Sequence, residues 1–242
     1  MSIDTLTHAD WWSSFTADYR SGRDDAQHVT IMGPTGTGKS TLAMQIAERR
    51  EYVAVLAAKP RDTHMSAMLR AGGYRNVSRL PEAGAGVRRV ALWPRNDGLE
   101  SQPMQRQVFG DALAHAFRVG VWHMVIDEGH YLADTLGLGD RIKTALQMGR
   151  SNGHGLILCA QRPAWLPRDV YSAADHLFLF RTNDAADLKA VSGLNGMNEK
   201  IVRAAISDLD PSTHSFLHID TRRRTLSISA LPPRRPRKTR PV

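Results

Sequence analysis

Residues 33–40 constrain this chain more than any other segment, because they read Gly-Pro-Thr-Gly-Thr-Gly-Lys-Ser and match the pattern G-x-x-x-x-G-K-[ST]. The mostly apolar residues 28–32 predict a buried strand before this segment, and the apolar spacing after Lys39 predicts a helix. A glycine-rich turn between a strand and a helix can direct backbone amides and positive helix potential at phosphate oxygens. The segment therefore predicts a phosphate-binding loop, or P-loop, in an α/β fold.

The P-loop predicts ATP and Mg²⁺ as cofactors. Lys39 is expected to reach the β- and γ-phosphates, the Ser40 hydroxyl to bind Mg²⁺, and Thr41 to lie near the α-phosphate. The expected nucleotide-binding residues are Gly33, Pro34, Thr35, Gly36, Thr37, Gly38, Lys39, Ser40 and Thr41.

Two further apolar runs end in polar side chains that suit phosphate hydrolysis. Residues 121–126 are followed by Asp127 and Glu128, which we expect to hold Mg²⁺ through water and to polarise the attacking water as general base, respectively. Residues 156–160 are followed by Gln161, which can reach the γ-phosphate or the attacking water. From the residues alone, Gln161 is equally well interpreted as a turn residue at a strand end.

Apolar runs alternate with helical patterns along most of the chain, which predicts a mainly parallel sheet flanked by helices. Residues 213–219 and 225–229 flank a polar turn and predict a C-terminal β-hairpin. The other predicted strands are 28–32, 52–58, 89–93, 122–127, 155–160 and 176–180. Helices are predicted from Lys39 through Ala47 and over 63–71, 101–118, 132–148, 185–191 and 198–206.

A chain of 242 residues has room for one such domain with short appendages. Residues 1–26 are predicted as an N-terminal helical extension, whose aromatic face packs on the core or on a neighbouring subunit. The P-loop ATPase domain is predicted over 27–231. Residues 232–242 are rich in proline and arginine and predict a disordered basic tail.

The formal net charge of +8 favours a polyanionic partner such as nucleic acid, although much of it lies between residues 222 and 240. Those arginines can bind phosphates or can simply keep the chain soluble. Loops near Arg75, Arg79, Arg88 and Arg89 are the better candidates for DNA contacts. Cys159 is the single cysteine, so no intrachain disulfide forms. We expect no membrane span, no signal peptide and a cytoplasmic location.

Four features together resemble the HerA/FtsK superfamily of DNA-pumping ATPases, which includes phage packaging ATPases and conjugative coupling proteins. They are the P-loop, the strand ending in Asp127-Glu128, residues 149–155 (Gly-Arg-Ser-Asn-Gly-His-Gly) and the strand ending in Ala160-Gln161-Arg162-Pro163. The resemblance covers residues 29–182. It implies a RecA-like P-loop NTPase fold in a bacterial or phage-infected bacterial cell.

The resemblance also implies a role for several residues and a set of partners. It implies ATP hydrolysis coupled to translocation of double-stranded DNA by a homo-oligomeric ring, most simply a hexamer. Gln161 matches the hydrolysis sensor, and Arg150 best matches the arginine inserted into the neighbouring subunit's site, with Arg162 as second candidate. Because no targeting domain is visible, a portal, a nuclease or another targeting protein would select the DNA.

Other interpretations of the same residues remain open. Arg150 near a helix end also complements the helix dipole. A monomeric small-molecule or nucleotide kinase shares the P-loop, but no arginine-rich lid is evident. A GTPase switch lacks its Asn-Lys-x-Asp motif here, and Asp127-Glu128-Gly129-His130 looks like a DExH helicase box without the second domain that such helicases need. Trp122, Trp165 and Phe178 are expected in the core.

Overall fold

The computed structural model describes residues 3–19, 26–82, 85–192 and 197–232, without the side chains of Arg168 and Asp169. In these ranges ten strands form one sheet in the order β1-β10-β9-β8-β2-β7-β6-β3-β5-β4. The strands are β1 Ile3–Thr5, β2 Val29–Met32, β3 Tyr52–Leu56, β4 Arg75–Asn76, β5 Arg89–Leu92, β6 Trp122–Ile126, β7 Gly155–Ala160, β8 His176–Phe180, β9 Ser215–Asp220 and β10 Thr225–Ala230.

The strands that are consecutive in the sheet from β8 to β4 are all parallel, namely β8, β2, β7, β6, β3, β5 and β4. Strand β9 is antiparallel to both of its neighbours, β8 and β10. This arrangement confirms the predicted mainly parallel sheet with a C-terminal hairpin, formed by β9 and β10. Strand β2, which leads into the P-loop, pairs with β7 and β8 but not with β6. Strand β7 therefore separates the P-loop strand from the strand that ends before Asp127.

Helices cover both faces of the sheet. The apolar residues of β3 alternate between the faces: Val53 and Val55 pack with α1, α2 and α3, whereas Ala54 and Leu56 pack with the core that α4 to α8 complete. The helices are α1 His8–Asp18, α2 Lys39–Ala47, α3 Thr63–Ala71, α4 Gln102–Val119, α5 Gly139–Met148, α6 Arg168–Ser172, α7 Ala185–Ser192 and α8 Glu199–Asp208. None of these described helices has the length and apolar content to cross a bilayer.

The aromatic face of α1 packs on the core of its own chain. Trp11 meets Phe178 and Phe216 edge-on, and its indole Nε1 donates a hydrogen bond to His218 Nδ1 at 3.1 Å. Strand β1, which the sequence analysis did not predict, pairs with β10 at the sheet edge. The division into extension, P-loop domain and tail stays a prediction, because residues 233–242 lie outside the described part.

Two expectations from sequence were wrong. Residues 132–148 do not form one helix: a π-helical turn over Tyr131–Thr135 is followed by Gly137 in the left-handed region (φ +63°), and α5 begins only at Gly139. A residue with positive φ breaks the helical path, and glycine adopts it without strain. Trp165 is 55% exposed, unlike the fully buried Trp122 and Phe178, because it follows Pro163 in a short 3-10 turn outside the sheet.

Candidate nucleotide site

Four neighbouring strands bring the P-loop, the Asp127-Glu128 pair and Gln161 to one edge of the sheet. The register pairs Leu56 with Ile126, and Met32 with Ala160, so β3, β6, β7 and β2 end at similar heights. The polar residues after these strands therefore meet in one cleft, as expected for the carboxyl edge of a parallel sheet. The cleft is lined by Thr35, Gly36, Gly38, Lys39, Ser40, Thr41, Lys59, Asp62, His64, Asp127, Glu128 and Gln161.

The P-loop backbone requires glycine where it turns into α2. Gly38 has φ +104° and precedes the first residue of the helix. A Cβ atom built on Gly38 would lie 2.5 Å from Leu231 Cδ1, and one on Gly33 would lie 2.6 Å from Phe180 Cβ. The loop thus rests against the end of β8 and the segment after β10; a Cβ at Gly33 would meet the rigid Cβ of Phe180, whereas one at Gly38 would require the Leu231 methyl group to move.

Lys39 lies inside the loop rather than in solvent. Its side chain donates a hydrogen bond of 2.7 Å from Nζ to the Pro34 carbonyl, and the residue is 8% exposed. Burial lowers the pKa of Lys39 from its usual value. The ammonium is therefore held at the centre of the loop, where a phosphate would accept its hydrogen bonds.

The residues predicted to hold Mg²⁺ are in direct contact. Ser40 Oγ donates a hydrogen bond of 2.5 Å to Asp127 Oδ1, and Asp127 is buried. A hydroxyl and a carboxylate oxygen are the donors that Mg²⁺ prefers, and it usually takes only one or two ligands from the protein beside phosphate and water. The donor set at this position fits the ion.

Gln161 connects the P-loop to Glu128. Its Nε2 donates to Glu128 Oε1 and Oε2 at 3.2 and 3.1 Å, while its Oε1 accepts a hydrogen bond of 3.2 Å from Thr35 Oγ1. Gln161 thus bridges the P-loop and the Glu128 carboxylate.

Lys59 was assigned no chemical role from the sequence, yet its side chain contacts both acids. Its Nζ lies 3.1 Å from Asp127 Oδ2 and 2.9 Å from Glu128 Oε1. Its signal was the same as that of Asp127 and Gln161, a polar residue directly after an apolar run, here residues 52–58. Unlike those two residues, a lysine between an alanine and a proline matches no catalytic motif.

Arg150 lies away from this cleft, in a 3-10 helix over Gly149–Asn152 before the amino end of β7. Its Nη1 donates to Asp175 Oδ1 at 2.7 Å, and the side chain is 51% exposed. Asp175 Oδ2 accepts a hydrogen bond of 2.8 Å from the His28 backbone N–H, just before β2. Arg150 is therefore on the sheet edge opposite the P-loop of its own chain.

Arg162, the second candidate for the inserted arginine, is held within its own chain. Its Nε and Nη2 lie 2.7 Å from Asp187 and Asp184, respectively, and its guanidinium lies over the Trp165 ring. Two carboxylates and an aromatic ring fix this side chain. Arg150, by contrast, contacts one carboxylate and has half of its side chain in solvent.

The other basic candidates lie elsewhere. Arg75, Arg88 and Arg89 line a second depression near the amino ends of β4 and β5, with Glu51 as an acid among them. Arg88 Nη1 lies 3.0 Å from Glu51 Oε1, and Arg89 Nη2 donates to the Glu48 carbonyl at 3.2 Å. In the hairpin turn, Arg223 pairs with Asp18. The arginines of residues 233–242 lie outside the described part of the chain.

Several solved structures share this fold, whereas no protein-family model and no curated protein sequence matches the chain. The genome packaging NTPase B204 from Sulfolobus turreted icosahedral virus 2, in complex with AMPPCP, matches with a TM-score of 0.62 and 20% identity over 86% of this chain and 98% of that chain. VirB4 of Thermoanaerobacter pseudethanolicus matches with a TM-score of 0.64 and 13% identity, over 91% and 93%.

The cytoplasmic domain of the Thermomonospora curvata type VII secretion ATPase EccC also matches, with a TM-score of 0.51 and 19% identity. There the match spans 79% of this chain and 24% of that chain. These likenesses extend the sequence resemblance to the whole sheet. This chain shares the fold of these solved NTPase and ATPase structures.

Proposed function

We propose that this chain is an ATPase that hydrolyses ATP at the subunit interfaces of a homo-oligomeric ring and uses the energy to move double-stranded DNA. The observation that carries the proposal is the continuous contact from Thr35 through Gln161 to Glu128, beside the Ser40 to Asp127 hydrogen bond. It joins a phosphate-binding loop to a carboxylate positioned for water activation. A kinase would instead need an acceptor in the place of that water.

Each residue of the cleft has a chemical task in this proposal. The P-loop amides and Lys39 bind the β- and γ-phosphates, and Ser40 and Asp127 would hold Mg²⁺, which neutralises phosphate charge when bound. Glu128 accepts a proton from the attacking water. Gln161 donates to both Glu128 oxygens and fixes the direction of the carboxylate, which is a positioning effect rather than a covalent one.

Arg150 is proposed to complete the site of a neighbouring subunit. It lies far from its own P-loop and is half exposed, whereas Arg162 is bound by two aspartates. An arginine supplied in trans neutralises charge that develops on the transferred phosphoryl group and is worth about 10³-fold or more in rate. Hydrolysis by the isolated subunit is therefore expected to be slow.

Double-stranded DNA is the proposed substrate of the motor, in keeping with a basic chain and with DNA packaging as the printed role of the B204 relatives. A hexameric ring, a portal, nuclease or other targeting partner, and a cytoplasmic location in a bacterial or phage-infected bacterial cell belong to the same proposal. Arg75, Arg88 and Arg89 are the proposed phosphate contacts, whereas Arg79, named with them from the sequence, lines a separate depression beside α4.

The central test is phosphate release from ATP by the purified chain, with and without duplex DNA. We expect hydrolysis that requires Mg²⁺ and rises with duplex DNA, none in Lys39→Ala, and nucleotide binding without hydrolysis in Glu128→Gln. Hydrolysis by monomers at a rate indifferent to duplex would contradict the motor. Transfer of the phosphoryl group to a small molecule or nucleotide would favour a kinase.

The DNA contacts are tested by charge reversal. Substituting Arg75, Arg88 and Arg89 by Glu is expected to weaken duplex binding by about tenfold or more at low salt and to abolish stimulation by DNA, because phosphate contacts dominate such binding. Arg203→Glu on exposed α8 is the matched control. Unchanged duplex affinity in the triple variant would exclude this surface.

A further inference from the structure

We propose that Lys59 is a positioning residue of the nucleotide site, which orients Asp127 and Glu128 and sets how tightly the site holds its divalent cation. The inference rests on the proposed function and deepens it. Lys59 belongs to neither the P-loop nor the acidic pair, and its part in the site follows from its contacts alone.

The ammonium of Lys59 bridges the two acids. Nζ lies 2.9 Å from Glu128 Oε1, 3.1 Å from Asp127 Oδ2 and 3.7 Å from Asp62 Oδ2. The Asp127 side chain is 5% exposed, so this pair is shielded from water on the carboxylate side. Charge-assisted hydrogen bonds with such geometry fix the direction of both carboxylates.

Side-chain hydrogen bonds anchor the backbone of the loop that carries Lys59. Trp93 Nε1 donates to the Lys59 carbonyl at 2.8 Å, and Asn96 Nδ2 donates to the Ala58 carbonyl at 2.7 Å. On the other side, Asp62 caps α3 by accepting from the Met65 backbone N–H at 2.7 Å. The backbone is therefore anchored on both sides of Lys59, and its side chain begins from a defined point.

The ammonium group of Lys59 lies against two carboxylates, in the same cleft as Lys39.

The contacts of Asp127 explain how Lys59 would act on a cation. Oδ1 accepts from Ser40 and Oδ2 interacts with Lys59, so the ammonium and a divalent ion draw on the same carboxylate. Like charges also repel across the few ångströms of the cleft. Removing the ammonium should tighten cation binding, while Glu128, now held by Gln161 alone, becomes less well oriented and hydrolysis slows.

The experiment measures binding of a fluorescent ADP analogue during Mg²⁺ titration, together with kcat, in Lys59→Gln, Lys59→Arg and Arg61→Gln. Arg61→Gln removes a charge from an exposed position two residues along the same loop. We expect Lys59→Gln to lower the half-saturating Mg²⁺ concentration by about 3-fold to 10-fold and to lower kcat by about 10-fold or more. Lys59→Arg should recover much of both, and Arg61→Gln should match the wild type.

The outcomes separate this inference from the proposed function. Wild-type protein that binds the analogue with a Mg²⁺ dependence identical to that of Lys59→Gln would overturn the role of Lys59 alone. Wild-type protein that is folded but binds no nucleotide would overturn the proposed function, and this inference with it. A merely structural lysine would change the unfolding temperature but not the Mg²⁺ requirement.

Discussion

The Ser40 hydroxyl donates a hydrogen bond of 2.5 Å to Asp127 Oδ1, although a complete strand separates the strands from which these residues follow. Helix α2 packs against β7 and β6 as well as against β2, so its first turn lies within reach of the residues that follow β6. The fold itself therefore places the two proposed Mg²⁺ ligands in direct contact.

Ser40→Ala is expected to weaken Mg²⁺-dependent nucleotide binding by about 10-fold or more, because one oxygen donor is lost and Asp127 loses its orienting partner. Ser40→Thr keeps the hydroxyl and should behave like the wild type. Titration of Mg²⁺ against a fluorescent nucleotide measures both variants. Equal Mg²⁺ requirements in Ser40→Ala and Ser40→Thr would contradict the assignment.

Much of this site was predictable because most of its residues lie in short contiguous segments with a recognisable pattern. Residues 33–41 follow a strand and open a helix, and Asp127, Glu128 and Gln161 each follow an apolar run, so their meeting at one sheet edge follows from parallel pairing. Lys59 also follows an apolar run, but its contact with Asp127 and Glu128 depends on β3 lying beside β6. No local pattern encodes which strands are neighbours, so Lys59 was assigned no role.

The prediction of secondary structure was limited in the same way, to elements with a clear local pattern. Strands with a full apolar run, such as β6 and β7, were predicted nearly to their ends, whereas β1 and β4 have three and two residues and too short a pattern to read. The break before α5 depends on the positive φ of Gly137. An isolated glycine in an otherwise helical pattern does not reveal its conformation.

Gln161→Ala is expected to lower kcat by about 100-fold while leaving the nucleotide Kd unchanged, because it removes the donor to Glu128 but no phosphate contact. Gln161→Glu should be at least as inactive, since a second carboxylate would repel Glu128. Steady-state kinetics and direct binding distinguish the two effects. A Gln161→Ala enzyme with full kcat would make the residue a turn residue after all.

Gly38→Ala should destabilise the fold more than Gly36→Ala. Both positions have positive φ, but only the Gly38 Cβ would lie 2.5 Å from Leu231 Cδ1, and nothing lies within 4 Å of the Gly36 Cβ. We expect a difference of about 1 kcal/mol in the free energy of unfolding, at the low end for overpacked sites, because the terminal methyl group of Leu231 can shift. Adding Leu231→Ala should recover part of it in chemical denaturation, and equal losses in both single variants would exclude the predicted contact.

Stability is expected to fall as the pH drops below about 6.5. Burial lowers the pKa of His154 to about 4 and that of His28 to about 3, so the unfolded chain binds more protons than the folded chain between these values and the ordinary histidine pKa. The stability is therefore complete above pH 6.5 and is lost toward pH 4, with about 3 kcal/mol linked to His154.

Replacing His154 by Gln should flatten this dependence in denaturation curves recorded between pH 7 and pH 4. The matched control is His64→Gln, since His64 lies on the surface. An unaltered slope in His154→Gln would show that the acid sensitivity arises elsewhere.

Hydrolysis at an interface is tested most directly by mixing two inactive variants. Lys39→Ala removes the site but keeps Arg150, whereas Arg150→Ala combined with Asp175→Asn keeps the site and leaves no buried carboxylate unpaired. Each variant alone should lose about 10³-fold in ATPase rate, and the mixture should regain a measurable fraction of wild-type activity in the presence of duplex DNA. A mixture as inactive as its components, or full activity in the Arg150 variant alone, would contradict the account.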